Sequence, residues 1–170
     1  MNSNQKPYHV MSRCHNKEFF PRPLKHVWPI ITEELYRVHK EHKLAIHGFI
    51  LMGNHFHLLC HTPLGNLEKT MEIFLRRTSC AISLEENNLW GGRYCWSLIQ
   101  SRRYYMEAYR YIFQNPVRAG LVEKVEAYKF STLTSEVHFP LHSSLPMAFG
   151  GNKGELLWLN QKEAEVRDTF

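Results

Sequence analysis

Residues 43–62, KLAIHGFILMGNHFHLLCHT, constrain the fold more than any other stretch of the chain. Two apolar runs flank Gly53-Asn54, and a two-residue Gly/Asn connection between such runs signals a β-hairpin. The first run is too continuous to be an exposed strand. In the second, His55 and His57 alternate with Phe56 and Leu58, so on an extended strand the two imidazoles share one face. Burying polar rings is costly unless they are partnered. They are either satisfied structural histidines or two-thirds of a metal site. With 11 His in 170 residues, an H-x-H arises by chance about 0.7 times, so the spacing alone does not decide. A second, independent part of the site has to come from elsewhere in the chain.

The hairpin sits inside a regular alternation of element types. YHVMSR (8–13) reads as a first strand, and a Pro-rich connection follows it. From Pro29 to His42 the apolar positions Ile31, Leu35 and Val38 recur at helical spacing, with Pro29 placed in the first turn. After the hairpin, Asn66 is a candidate N-cap for a helix burying Leu67, Met71, Phe74, Leu75, Thr78 and Ile82. Glu85–Asn88 and Gly91-Gly92 break that helix, and RYCWSLI (93–99) reads as a fourth strand. The order β-α-β-β-α-β predicts an α+β domain, the ferredoxin-like split βαβ with an antiparallel sheet.

An additional helix over 102–115 follows. Tyr105, Tyr109, Ile112 and Phe113 form its apolar stripe, which leaves Tyr111 off the stripe and Asn115 one turn further along on Tyr111's face. Pro116 predicts that the helix ends at Asn115, with the amide free to reach outward and Gln114 as a possible stand-in. Taken by itself, the pair reads more readily as an exposed tyrosine and a helix stop.

Composition narrows the class. Lys and Arg number 21 against 16 acidic residues, a net charge of +5 that permits a polyanionic partner without demanding one. Cys14, Cys60, Cys80 and Cys95 are scattered with no C-x-x-C pair, which argues against a cysteine zinc site and for reduced thiols. The opening MNSNQKPYHV lacks an apolar signal region, and no stretch approaches the ~18 apolar residues of a membrane span, so a cytoplasmic location is expected.

YHVMSR, ILMGNHFHLL, WGGRYCWSLI and YRYIFQNPVRAGLV, in this order and spacing, resemble the REP-associated tyrosine transposases, members of the HUH class of single-strand DNA transposases. The resemblance spans residues 7–133, and EAYKFSTL (126–133) is similar to the stretch that closes such domains. It departs at Gly53, where a proline is common, and at the centre of RYCWSLI, where basic residues are usual. It implies a transposase domain over 1–134 and a C-terminal extension, 135–170, of unknown role. It implies metal-dependent nicking and joining of single-stranded or hairpin DNA through a 5′-phosphotyrosine, by a monomer acting in cis, with a dimer left open. Tyr111 is then the nucleophile, and His55, His57 and Asn115 are ligands of Mg²⁺ or Mn²⁺. Such neutral ligands leave the ion its full charge and open positions for phosphate oxygen.

The basic side chains then become candidate DNA contacts: Arg13, Arg76, Arg77, Arg93, Arg102, Arg103 and Arg118, with Lys69 and the aromatics Tyr94, Trp96 and Tyr104 for stacking. His39, His42, His47 and His61 read as structural or surface residues. Two rivals stand beside this reading. One is a domesticated sequence-specific DNA-binding protein that no longer cuts, and the other is a small metalloenzyme with a different substrate.

Overall fold

The hairpin of residues 43–62 forms the heart of a four-stranded antiparallel sheet in a computed structural model describing residues 6–83, 89–142 and 152–161. Its strands are β1 (Tyr8–Arg13), β2 (Ala45–Leu51), β3 (His55–His61) and β4 (Cys95–Leu98), in the order β2-β3-β1-β4. β3 thus inserts between β1 and β2, the split arrangement expected. Helices α1 (Leu24–His42) and α2 (Leu67–Ile82) cover one face, where Ile31, Leu35, Val38, Met71 and Phe74 pack with Val10, Phe56 and Leu58. Helix α3 (Arg102–Arg118) covers the other, packing Tyr105, Tyr109, Ile112 and Phe113 on Ile50 and Leu59. Gly48 permits this close seating, since a Cβ there would stand 3.0 Å from the Phe113 ring.

Several local expectations are corrected. Pro29 lies inside α1, because Val27 and the half-buried Leu24 and Trp28 carry the helix back to Leu24 to reach the core. Asn66 occupies the N-cap position of α2, yet its side chain donates to the carbonyl of His42 at 3.2 Å, joining the end of α1 to the start of α2. Gly53 and Asn54 turn the hairpin without positive φ. Their carbonyls accept instead from Phe20 and Cys14, so the chain after β1 braces the turn. A Cβ at Gly53 would meet the ring of the exposed Phe19 at 2.9 Å, so a side chain there would have to displace that ring. Helix α3 runs past Asn115 and through Pro116 to Arg118. The expected break at Glu85–Asn88 and the chain start at residues 1–5 lie outside the described residues, as do 143–151 and 162–170 of the C-terminal extension.

The outer edge of β2 is covered by the EAYKFSTL stretch. Leu51 N–H donates to Phe130 and Thr132 N–H to Phe49, both at 2.9 Å, while Ile50 bridges Ser131. Covering a sheet edge in this way removes a template for aggregation. Helix α4 (Asn152–Asn160) docks on α3 through the buried Trp158 and Leu159. All four cysteines are free thiols, Cys14 and Cys60 buried, Cys80 and Cys95 exposed. Among the described residues no helix is long and apolar enough to cross a membrane.

Candidate active site

Strand period and register decide which side chains reach the α3 side of the sheet. β1 pairs with β3 so that Arg13 opposes His55, Met11 opposes His57 and His9 opposes Leu59. His9, Met11, Arg13, His55 and His57 therefore share the face on which α3 lies. The rings of His55 and His57 sit 5.2 Å apart, nearly perpendicular. Tyr111 reaches down from α3 with its ring edge-on to His57 at 5.5 Å. It is 40% exposed, whereas Tyr105, Tyr109, Ile112 and Phe113 of the helix's apolar stripe are buried. Arg118, two residues past Pro116, lies over the Tyr111 ring with its guanidinium carbon 5.4 Å from the centroid.

Both imidazoles are neutral. Burial, with Arg13 nearby, holds His55 at a pKa of about 4; burial, His9, His55 and Arg13 bring His57 to about 3. Neutral rings are what metal coordination requires. The Asn54 amide nitrogen donates to the Lys17 carbonyl at 2.7 Å, so its Oδ1 is the atom 2.8 Å from His55 Nδ1. An amide oxygen only accepts, so His55 carries its proton on Nδ1 and keeps the lone pair on Nε2. Among the described residues no three His, Cys, Asp or Glu side chains converge as a metal site. A metal on the histidine pair would need a different third donor, and an amide oxygen would suit a hard divalent cation.

Asn115, the third ligand the sequence reading expects, does not reach freely outward. Its nitrogen donates to the Tyr111 carbonyl at 2.8 Å and the Ile112 carbonyl at 3.3 Å. Pro116 has no N–H to offer the Ile112 carbonyl four residues back, and the Asn115 side chain supplies one. The helix therefore continues where the sequence reads as a stop. The Oδ1 atom accepts no hydrogen bond among the described residues. The Gln114 amide nitrogen donates to the carbonyls of Leu159 and Gln161 at the end of α4.

The candidate DNA contacts separate by face. Arg13 lies beside His55, Arg102 and Arg103 open α3, and Arg118 closes it. Arg103 pairs with Glu107 at 2.9 Å. Arg76 and Arg77 are carried by α2 on the opposite face, and Arg77 is bound to Glu41 of α1 at 2.9 Å. Arg93 pairs with Glu68 at 3.1 Å and Lys69 with Glu72 at 3.3 Å. Of the aromatics, Tyr94 is buried in the α1/α2 core, while Trp96 and Tyr104 are exposed. Trp96 pairs with Val10 in register and so faces the α1/α2 side, whereas Tyr104 bonds Ser97 on the tyrosine side.

The residue that sequence reasoning missed is His9. Its Nε2 lies 3.0 Å from His57 Nδ1, and its ring meets Tyr111 edge-on at 5.9 Å. Only the β1–β3 register, which crosses 48 positions of sequence, makes the contact visible.

No family model matches the chain, and no curated protein matches it. A solved REP-associated tyrosine transposase bound to a REP hairpin aligns at TM-score 0.69 and 19% identity, covering 76% of this chain and 77% of that one. The chain thus has the fold of that transposase. A candidate transposase from Deinococcus radiodurans R1 aligns at TM-score 0.43 and 18% identity, over 66% of this chain and 92% of that one.

Proposed function

We propose that this chain is a single-tyrosine DNA transposase that nicks and rejoins single-stranded or hairpin DNA through a 5′-phosphotyrosine. The observation that carries the reading is the placement of Tyr111. It is exposed, off the apolar stripe of α3, and in edge contact with His57 of the same chain. The shared fold supports it, because the solved counterpart is a tyrosine transposase holding a REP hairpin. Tyr111 and His57 of the proposed site belong to one chain, an arrangement that acts in cis.

In the proposed reaction the Tyr111 oxygen attacks a DNA phosphorus and gives up its proton. The new P–O bond forms as the bond to the 3′ oxygen breaks, and that oxygen leaves and takes a proton. One phosphate diester replaces another, so the step runs backward to join a new 3′ end without a nucleoside triphosphate. His55, His57 and the Asn115 oxygen would hold Mg²⁺ or Mn²⁺, which supplies Lewis-acid stabilisation of the charge gathering on the phosphate and leaving oxygen. Packing of α3 holds the Tyr111 ring beside His57, so the proposed nucleophile is delivered without a search. Arg118 and Arg13 place cations on the same side, where a phosphate backbone would run.

The test is covalent capture. A labelled hairpin oligonucleotide taken from DNA flanking the gene should become attached to the protein in Mg²⁺ or Mn²⁺ and stay attached on a denaturing gel. Tyr111→Phe removes only the attacking oxygen and should abolish the adduct. If Tyr111→Phe still forms it, another tyrosine is the nucleophile and the assignment is wrong.

A further inference from the structure

His9 stands between the two groups to which the proposed chemistry is assigned. Its ring lies 5.1 Å from that of His57 and 5.9 Å from that of Tyr111. Two neutral imidazole nitrogens 3.0 Å apart form a hydrogen bond only when one carries the proton and the other a lone pair. The contact therefore couples the tautomers of the two rings. Were His9 the donor, His57 would carry its own proton on Nε2 and have no lone pair left for a metal. With His57 as donor from Nδ1, its Nε2 keeps a lone pair. His55 is already fixed in this second form through Asn54 and the Lys17 carbonyl. A metal held by the Nε2 atoms of both histidines needs both rings in this form.

Resting on the metal-site reading above, we propose that His9 is a positioning residue. Its Nε2 accepts the Nδ1 proton of His57 and so keeps the Nε2 lone pair of His57 ready for a divalent cation. The Nε2 of His9 is occupied by this bond, so that atom takes no metal. Asn54 serves His55 in the same way, so each imidazole of the H-x-H pair has its own acceptor, one from the hairpin turn and one from the neighbouring strand.

Two-bond ¹H–¹⁵N correlation spectra of the metal-free protein read each histidine tautomer without DNA or activity. In the wild type, His55 and His57 should both carry the proton on Nδ1. His9→Phe keeps an aromatic ring against Tyr111 but removes the acceptor, so His57 should shift to the Nε2–H form. Mn²⁺ affinity, measured by calorimetry, should fall about tenfold or more, the usual effect of losing an outer-shell partner. His9→Gln offers a side-chain carbonyl and should restore both readouts. A wild-type His57 protonated on Nε2 overturns the proposal and needs no variant to be folded. So does a His9→Phe protein that keeps the Nδ1–H form and unchanged Mn²⁺ affinity. Wild-type protein with His57 in the Nδ1–H form that binds no Mn²⁺ overturns the metal-site reading instead, so the two failures are told apart.

Discussion

The Asn115 side chain donates to the main-chain carbonyl of Tyr111 at 2.8 Å, tying the candidate third ligand to the backbone of the candidate nucleophile. One amide thus does two things: its nitrogen repairs the hydrogen bond that Pro116 removes from α3, and its oxygen is left for a ligand. Asn115→Ala separates them. It should cost about 0.5–1.5 kcal/mol of stability, the usual net worth of a hydrogen bond, with a lower urea midpoint. Mn²⁺ affinity should fall without vanishing, since His55 and His57 remain. An unchanged midpoint would show that the amide does not support the helix.

Tyr111→Phe should behave in the opposite sense. The ring is exposed and its hydroxyl makes no hydrogen bond among the described residues. Its unfolding free energy should stay within about 0.5 kcal/mol of the parent, as for surface changes generally, while adduct formation is lost. A large drop in stability would mean that the hydroxyl is structural.

The arginines should divide by face in a salt titration. Each phosphate contact on a single strand contributes a slope of about −0.7 to the plot of log affinity against log salt. Arg102→Ala and Arg118→Ala should each make the slope shallower by roughly one such contact. Arg77→Ala should leave it unchanged and instead loosen α1 from α2, because Arg77 is bound to Glu41 there and also lies 3.9 Å from Glu34. A steep salt effect confined to Arg76 and Arg77 would place the DNA on the opposite face.

Much of the architecture was legible because strand and helix periods are local properties. YHVMSR forms β1 as expected, and the stripe Tyr105, Tyr109, Ile112, Phe113 is buried with Tyr111 left outside it. The errors came from side chains that answer to distant groups. Pro116 reads as a stop until Asn115 is seen to fill the missing donor. Asn66 reads as a cap until the His42 carbonyl is found beside it. His9 reads as an ordinary strand residue until the register places it against His57. Arg76 and Arg77 share the charge of Arg102 and Arg118, and only the layer order separates them.

Stability should fall in mild acid. His47 is buried with Nδ1 2.8 Å from the Tyr105 hydroxyl and Nε2 2.7 Å from His61 Nδ1. Burial, then His61 and His142, hold its pKa near about 3, below the ordinary value of 6.5. A depressed histidine pKa means that the unfolded chain takes up the proton first. Folding is therefore most favoured above about 6.5 and weakens as pH falls from there toward 3. His57 and His55 act in the same direction. Between pH 6.5 and 5 the loss from His47 alone should be on the order of 1–2 kcal/mol. Urea melts at these two pH values should show it, and His47→Phe should flatten the difference. A stability that rises toward pH 5 would contradict the burial of neutral His47.

Helix α4 should matter to the site although it carries none of its residues. It grips the helix that bears Tyr111 at several points: Glu155 accepts from the Tyr109 hydroxyl at 2.7 Å, the Leu159 carbonyl accepts from Gln114 at 2.7 Å, and Arg110 donates to the Gln161 carbonyl. Asn160 links α4 to the segment after α3, through the Val125 N–H at 3.0 Å and Glu126 at 2.7 Å. Leu159 is wholly buried within this contact. Leu159→Ala removes that packing without touching Tyr111, and buried Leu→Ala changes cost about 2–5 kcal/mol. The expected cost lies toward the lower end, because a short terminal helix can relax into the space. Hydrogen exchange should then quicken along the C-terminal half of α3, and adduct formation should slow because the tyrosine is held less firmly against His57. If exchange in α3 stays as slow as in the parent protein, α4 rides on a helix already fixed by the sheet.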